Sequence, residues 1–184
     1  MKKCSSPQAL KEQLSNLPNG LNETYDRVLS KLDDKDHGDI HVFLQWLAFS
    51  TRTLGLEELA EVVAVDFSDN GFPKYVPERR YQDIRDVLGK CSGLVITIDD
   101  ESAVKLAHFS VKEYLLSEKI KEGSWRHFAI NEKLAHSLIS RTCLVHLLEA
   151  GKAHFRGPLD WYAADHWVFH AKSAISASDN KPYL

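Results

Sequence analysis

The chain has 184 residues, of which 43% are hydrophobic and 27% charged, and its formal net charge is −3 at pH 7. This composition is typical of a globular protein of one or two domains, and the interleaved charges leave no basic stripe of the kind that nucleic-acid binders carry. Three widely spaced cysteines argue against a disulfide framework, and without a signal peptide or a membrane-length apolar run we expect a cytoplasmic protein with no membrane contact.

Hydrophobic residues at helical spacing predict the elements of the first third of the chain. Helices are expected over residues 7–16, 21–32, 40–47 and 56–63. Asn22 is the expected cap of the second helix, and residues 33–38, with the helix-breaking Gly38, are expected to interrupt the chain before the third. Two prolines and an Asn-Gly pair predict a loop over residues 66–80, and a short helix is expected to end near Gly89.

The hydrophobic period then changes from helical spacing to alternation. Residues 94–98 and 104–108 alternate apolar with other side chains around a polar turn, and this pattern predicts a β-hairpin. By parity, His108 is expected on the strand face that carries Val104 and Leu106.

A helix is predicted directly after the hairpin, beginning near Phe109. Ser110 and Glu113 have the S-x-x-E spacing of a capping box, in which each side chain satisfies a backbone N–H of the other residue. Two more helices are predicted over residues 128–149 and 159–174. The predicted fold class is mainly α with a small β-hairpin, a winged helix followed by a helical extension. The expected units are an N-terminal helical segment at 1–35, a winged-helix domain at 36–122 and a C-terminal helical extension at 123–184.

Two patterns bear on enzymatic chemistry. Cys91 lies in G-x-C-x-G, but a nucleophile elbow needs a strand before the nucleophile and a helix after it, and the predicted order is reversed. The pairs His37/His41 and His166/His170 have the i, i+4 spacing of zinc ligands, without a third ligand at a recognised spacing. We therefore predict a protein that is not an enzyme, with no catalytic residue and no metal. The alternative is a thiol- or metal-dependent enzyme built on Cys91, His166 and His170.

The sequence also disfavours binding to nucleotides or nucleic acids by this chain alone. Neither of its Gly-Lys pairs belongs to a P-loop. The candidate recognition helix at 81–90 carries Asp83 and Asp86, and the hairpin tip at 99–101 is entirely acidic. These carboxylates would repel DNA phosphates, so we expect no nucleic-acid partner. A winged-helix DNA-binding protein is the further alternative.

Five stretches carry a family resemblance, and they follow the expected order between about residues 10 and 172. They are LPNGLNETYDRVLSKL, FLQWLAFSTRTLGLEELAEVVAV, YQDIRDVLGKCSGLV, VKLAHFSVKEYLLS and PLDWYAADHWVFHA. Together they resemble the segment that follows the NACHT nucleotide-binding domain in fungal NLR-like (STAND) proteins. This segment is usually catalogued as a winged-helix domain of the "GPI inositol-deacylase" type and commonly precedes ankyrin repeats. The catalogue name implies a deacylase, but the sequence contains no G-x-S-x-G.

The resemblance implies a non-enzymatic regulatory and protein-interaction module of a NACHT-type signalling NTPase. Residues 106–114 resemble the motif F-x-H-x-S-F-x-E-[FY], in which the histidine contacts the β-phosphate of ADP. His108 maps onto this nucleotide-sensing histidine, and Ser110 and Glu113 map onto the helix-capping pair. The implied partners are a NACHT domain, in cis or in trans, and ankyrin repeats, and ADP or ATP would be bound only by the adjoining NACHT domain. In the chain alone, His108 is expected to be a structural residue at a strand end.

Overall fold

A computed structural model describes residues 19–68, 72–98, 102–153 and 157–176. The helix predicted at 7–16 and the acidic hairpin tip at 99–101 lie outside these described residues. Within them, the chain forms mostly helices, with short strands, and the predicted fold class is confirmed. The helices are α1 (Asn19–Leu29), α2 (His37–Phe49), α3 (Leu56–Glu61), α4 (Asp86–Lys90), α5 (Phe109–Leu116), α6 (Glu118–Glu122), α7 (Glu132–Ala153) and α8 (Asp160–Ile175). Short 3-10 turns occur at Asp34–Asp36, Val62–Ala64, Pro77–Arg79 and Arg126–Phe128.

The predicted β-hairpin is present and forms the wing. Its strands β4 (Val95–Ile98) and β5 (Ala103–Leu106) are antiparallel, and β1 (Leu54–Gly55) pairs with the other edge of β5, so the order in the sheet is β1-β5-β4. A second, two-stranded ribbon joins β2 (Val65–Asp66) to β3 (Lys74–Tyr75). Except for Val65, this ribbon lies within residues 66–80, which were predicted to be a loop.

The core surrounds α2, which is apolar on several sides. Phe43 and Trp46 of this helix are fully buried, with Leu59 of α3 and Val104 of β5 in the same core. Burial of each such large side chain contributes about 1.5–3 kcal/mol to the free energy of unfolding. The antiparallel pair α7 and α8, which we call the helical hairpin, packs on the same helix, and the rings of Trp46 and Tyr162 lie 5.4 Å apart.

Two boundary predictions in the first third were wrong. Asn22 lies inside α1, which begins three residues earlier, and therefore does not cap it. Gly38 is the second residue of α2 instead of a helix breaker. The interruption includes Asp33, as predicted, but ends before Gly38. The Asp33 side chain accepts the backbone N–H of Lys35 and starts the 3-10 turn that leads into α2. A glycine in a first helical turn is tolerated when the preceding turn already directs the chain into the helix.

The candidate recognition helix is also shorter than predicted. It covers only Asp86–Lys90, and the residues before it form turns. Asp83 explains the late start, because its carboxylate accepts the backbone N–H of Arg85 at 2.9 Å and pairs with the guanidinium of the same residue. Such a side chain-to-backbone bond stabilises a turn in competition with a helix.

Candidate functional site: the junction at His108

His108 lies between the wing and α5, where the chain changes direction. Strand β5 ends at Leu106, and the backbone of His108 is extended, with φ −154° and ψ 152°. Val104 is buried, whereas His108 is exposed to solvent. The prediction that both side chains share one face was therefore wrong, because the bend that follows β5 ends the two-residue alternation on which it depended.

The imidazole of His108 caps α5. Its Nδ1 accepts the backbone N–H of Ser110 at 3.2 Å and lies 2.6 Å from the Ser110 hydroxyl oxygen. Ser110 is therefore the second residue of the helix, and Glu113 is the fifth instead of the third. The predicted capping box does not form, since its acidic residue must occupy the third position. A ring nitrogen here serves as the capping acceptor in place of the usual side-chain oxygen.

A chain of buried hydroxyl groups fixes this junction against α1. Ser110 is 3% exposed, and its hydroxyl oxygen lies 2.7 Å from the hydroxyl oxygen of Tyr25. The rings of Tyr25 and Tyr114 lie 5.2 Å apart, and the Tyr114 hydroxyl donates to Asp26. Burial and the bond to Asp26 both raise the pKa of Tyr114, so its hydroxyl stays protonated and keeps donating. His108 is thus held in place through buried contacts, although its own ring is exposed.

The bond to Ser110 also selects the tautomer of His108. A backbone N–H can only donate, so Nδ1 must be the acceptor and the proton of the neutral ring must be on Nε2. The result is an N–H donor on an exposed ring at the start of a helix. Hydrogen-bond donors of this kind at helix N-termini suit anionic groups.

Apolar and cationic side chains lie on the elements next to His108. Phe109 is 57% exposed, and its ring centre is 4.3 Å from that of His108. Ile96 of β4 is exposed, and its cross-strand partner on β5 is the exposed Lys105. We call His108, Phe109, Ile96 and Lys105 the wing surface. Its composition suits a protein partner that carries a negatively charged group.

Cys91 lies in a different environment from that of a nucleophile. Its side chain is fully buried between α4 and β4. Burial raises the pKa of its thiol to about 12, which keeps the sulfur protonated at neutral pH. A nucleophilic cysteine needs the thiolate. The structure thus places Cys91 in the core of the winged helix.

The histidine pairs are engaged in contacts within the chain. His37 packs on His127, with Nδ1 3.1 Å from the Nε2 of that residue. His170 is fully buried, and its two ring nitrogens contact His136 Nδ1 and the Tyr162 hydroxyl, each at 2.8 Å. His166 is half-buried, and its ring centre lies 4.7 Å from that of Tyr162 with the two rings tilted. In the described parts of the chain, no three His, Cys, Asp or Glu side chains converge as metal ligands.

Sequence reasoning missed the contact between His136 and His170. The i, i+4 spacing suggested His166 as the partner of His170, whereas the actual partner is His136 of α7, the facing helix. His136 lies on α7 near the buried Ala135 and Ile139, and His170 lies on the face of α8 that buries Tyr162 and Ala163. That is a sequence signal for burial, but it does not identify the partner.

The fold is a winged helix extended by a helical hairpin, with an exposed, capping histidine where the wing meets α5. The model of the family described as "GPI inositol-deacylase, winged helix domain" matches residues 9–131, and this chain belongs to that family. It is also similar to "Azaphilone pigments biosynthesis cluster protein L" of Monascus ruber. The two sequences are 35% identical over 171 residues, which cover 85% of this chain and 36% of that relative.

The chain therefore spans little more than a third of the length of this curated relative. No solved structure matches it. Among the described helices, none combines the length and the hydrophobicity that a membrane span requires.

Proposed function

We propose that this chain is a non-enzymatic regulatory and protein-interaction module of a NACHT-type, NLR-like signalling NTPase in the cytoplasm. In this proposal it packs against a nucleotide-binding domain, in cis or in trans, and ankyrin repeats follow in the parent protein. The chain binds no nucleotide by itself. Its role is to report which nucleotide the NACHT domain holds.

The observation that carries the proposal is the tautomer and the solvent exposure of the His108 ring. Its Nδ1 is committed to the cap of α5, and its Nε2 therefore presents a donor on an exposed ring. A hydrogen bond from this donor to a phosphate oxygen would be charge-assisted, and such bonds contribute about 1.5–3 kcal/mol. The buried Ser110–Tyr25 contact supports the proposal because it fixes the ring before any partner binds.

The wing surface supplies a means of docking. Phe109, whose ring contacts His108, and Ile96 on β4 offer apolar area, and Lys105 adds a positive charge. A partner that presents a bound diphosphate within an apolar rim would complement both features. The family membership and the resemblance of residues 106–114 to the NACHT-associated motif point to the same class of partner.

The test uses this chain fused behind a matching NACHT domain, with the dissociation rate of ADP as the measurement. His108→Asn is the informative variant, because asparagine is also a good cap but removes the ring and its Nε2–H. We expect ADP to dissociate about tenfold faster or more, in line with the loss of a hydrogen bond to a charged group.

His127→Asn is the matched control, since it removes another exposed histidine from a different part of the surface. It should leave the dissociation rate unchanged. A folded His108→Asn fusion that retains ADP as long as the unmodified protein would contradict the proposal.

A further inference from the structure

The outer face of α8 carries a heptad pattern that the winged-helix core does not use. The inner face buries Tyr162, Ala163 and His170. On the opposite face, Val168 is 42% exposed and Ile175 67% exposed, and these two residues are seven positions apart. Ala171 lies between them, and Ala164 lies four positions before Val168. Apolar residues at this spacing form the seam of a coiled coil.

The sizes of the seam residues favour an antiparallel partner with the same sequence. In an antiparallel pair of α8 helices, Ala164 lies opposite Ile175 of the second copy, and Val168 lies opposite Ala171. Each of the four layers then combines one alanine with one β-branched side chain. Small against large residues give even packing and a close approach of the two helices.

The charges beside the seam are self-complementary in the same register. Asp165 and Lys172 are both exposed, each follows a seam alanine by one residue, and neither has an ion-pair partner among the described residues. In the antiparallel register, Asp165 of one copy faces Lys172 of the other, and the two-fold axis repeats the contact. Charge pairs that flank the seam determine the partner and the orientation.

We infer that the outer face of α8 is a self-association surface, through which two copies of this chain form a two-fold symmetric, antiparallel dimer. The interface is isologous, so each residue contact occurs twice. The helix of 16 residues is about 24 Å long. The contact area is therefore small, and a dimer in equilibrium with monomer is expected.

The primary experiment is sedimentation equilibrium of the purified chain over a wide concentration range. The unmodified protein should show a reversible monomer–dimer equilibrium, and Val168→Glu should be a monomer because it places carboxylates in the apolar seam. The control is Phe72→Glu, since Phe72 is 91% exposed but lies just before β3 and not on α8 or the wing surface. This control should dimerise like the unmodified protein.

A charge exchange tests the register. Asp165→Lys and Lys172→Asp should each weaken dimerisation about tenfold, because each change creates two like-charge contacts. The double variant should restore the unmodified affinity. Circular dichroism and the melting temperature verify that every variant is folded.

Three results would overturn the inference. They are a chain that stays monomeric at every concentration, a dimer that survives Val168→Glu, and a charge exchange that fails to rescue association. None of these results depends on a nucleotide or a NACHT domain, so they are distinguishable from a failure of the proposed function.

Discussion

His136 and His170 meet through their Nδ1 atoms at a distance of 2.8 Å, at the buried junction between the helical hairpin and the winged helix. The backbone N–H of Thr51 donates to the hydroxyl oxygen of Tyr162, and the hydrogen of that hydroxyl is available to Nε2 of His170. His170 must then donate from Nδ1 to His136, and the remaining proton of His136 is on Nε2, 4.0 Å from a carboxylate oxygen of Glu132. The directions of all these bonds are consistent when both histidines are neutral.

This network predicts a stability that depends on pH. An unfolded histidine takes up a proton near pH 6.5, whereas burial, with His136 and His166 nearby, lowers the pKa of His170 to about 4. Burial also lowers the pKa of His136, with Glu132 opposing and Lys112 adding to that shift. Between about pH 6.5 and pH 4 the unfolded state binds more protons, so the free energy of unfolding falls as the pH falls through this range.

The variant that isolates this effect is His170→Gln, which keeps hydrogen-bonding groups but cannot titrate. The free energy of unfolding of each protein is measured with urea at pH 7 and at pH 5. Its decrease between these two pH values should be about 2 kcal/mol larger in the unmodified chain than in the variant. Comparing each protein with itself at two pH values cancels the packing cost of the substitution. Equal losses would mean that His170 does not resist protonation in the folded chain.

The second prediction concerns Tyr162, which is fully buried. Tyr162→Phe removes the hydroxyl that serves both the Thr51 N–H and His170 Nε2, and leaves those two groups without this partner. We expect the free energy of unfolding to fall by about 1–3 kcal/mol. Thr51→Val is the control, because it keeps the backbone N–H and removes only a 3.4 Å side-chain contact. If both changes cost the same, the hydroxyl of Tyr162 does not stabilise the junction.

The third prediction distinguishes the observed cap of α5 from a capping box. Ser110→Ala should lower the free energy of unfolding by about 1–2 kcal/mol, since it leaves the buried Tyr25 hydroxyl without its 2.7 Å partner. Glu113→Ala should change it very little, because Glu113 is exposed and lies beyond the third helical position. In a capping box both residues would contribute, so comparable losses would mean that the helix begins at Ser110.

The fourth prediction concerns His108 in the isolated chain. His108→Ala removes the acceptor for the Ser110 N–H and should cost about 0.5–1.5 kcal/mol, whereas His108→Asn should restore most of this loss. Thermal melting of the two variants and the unmodified chain measures the difference. A large loss in both variants would identify the imidazole ring as a packing residue and would weaken the case for a sensor.

The local pattern of the sequence determined most of the secondary structure. Alternation over residues 94–98 and 104–108 predicted the wing hairpin, whose second strand is Ala103–Leu106. Helical spacing specified α2 and α8 within a few residues of their ends. These predictions succeeded because side-chain periodicity is a property of a single element and its exposed and buried faces. The winged-helix order followed from the succession of those elements.

Tertiary structure alone decided the cap of α5 and the partner of His170. Because of a bend of two residues after β5, His108 lies at a helix terminus instead of on a strand face. Such a bend leaves no periodic pattern in the sequence from which it could be predicted. His136 and His170 lie 34 residues apart and meet only because α7 and α8 pack antiparallel with these faces together. Packing chooses among distant partners by shape and by hydrogen-bond satisfaction, and these depend on the positions of several elements at once. The sequence therefore determined which residues are apolar, titratable or able to cap, whereas the fold determined which of them meet.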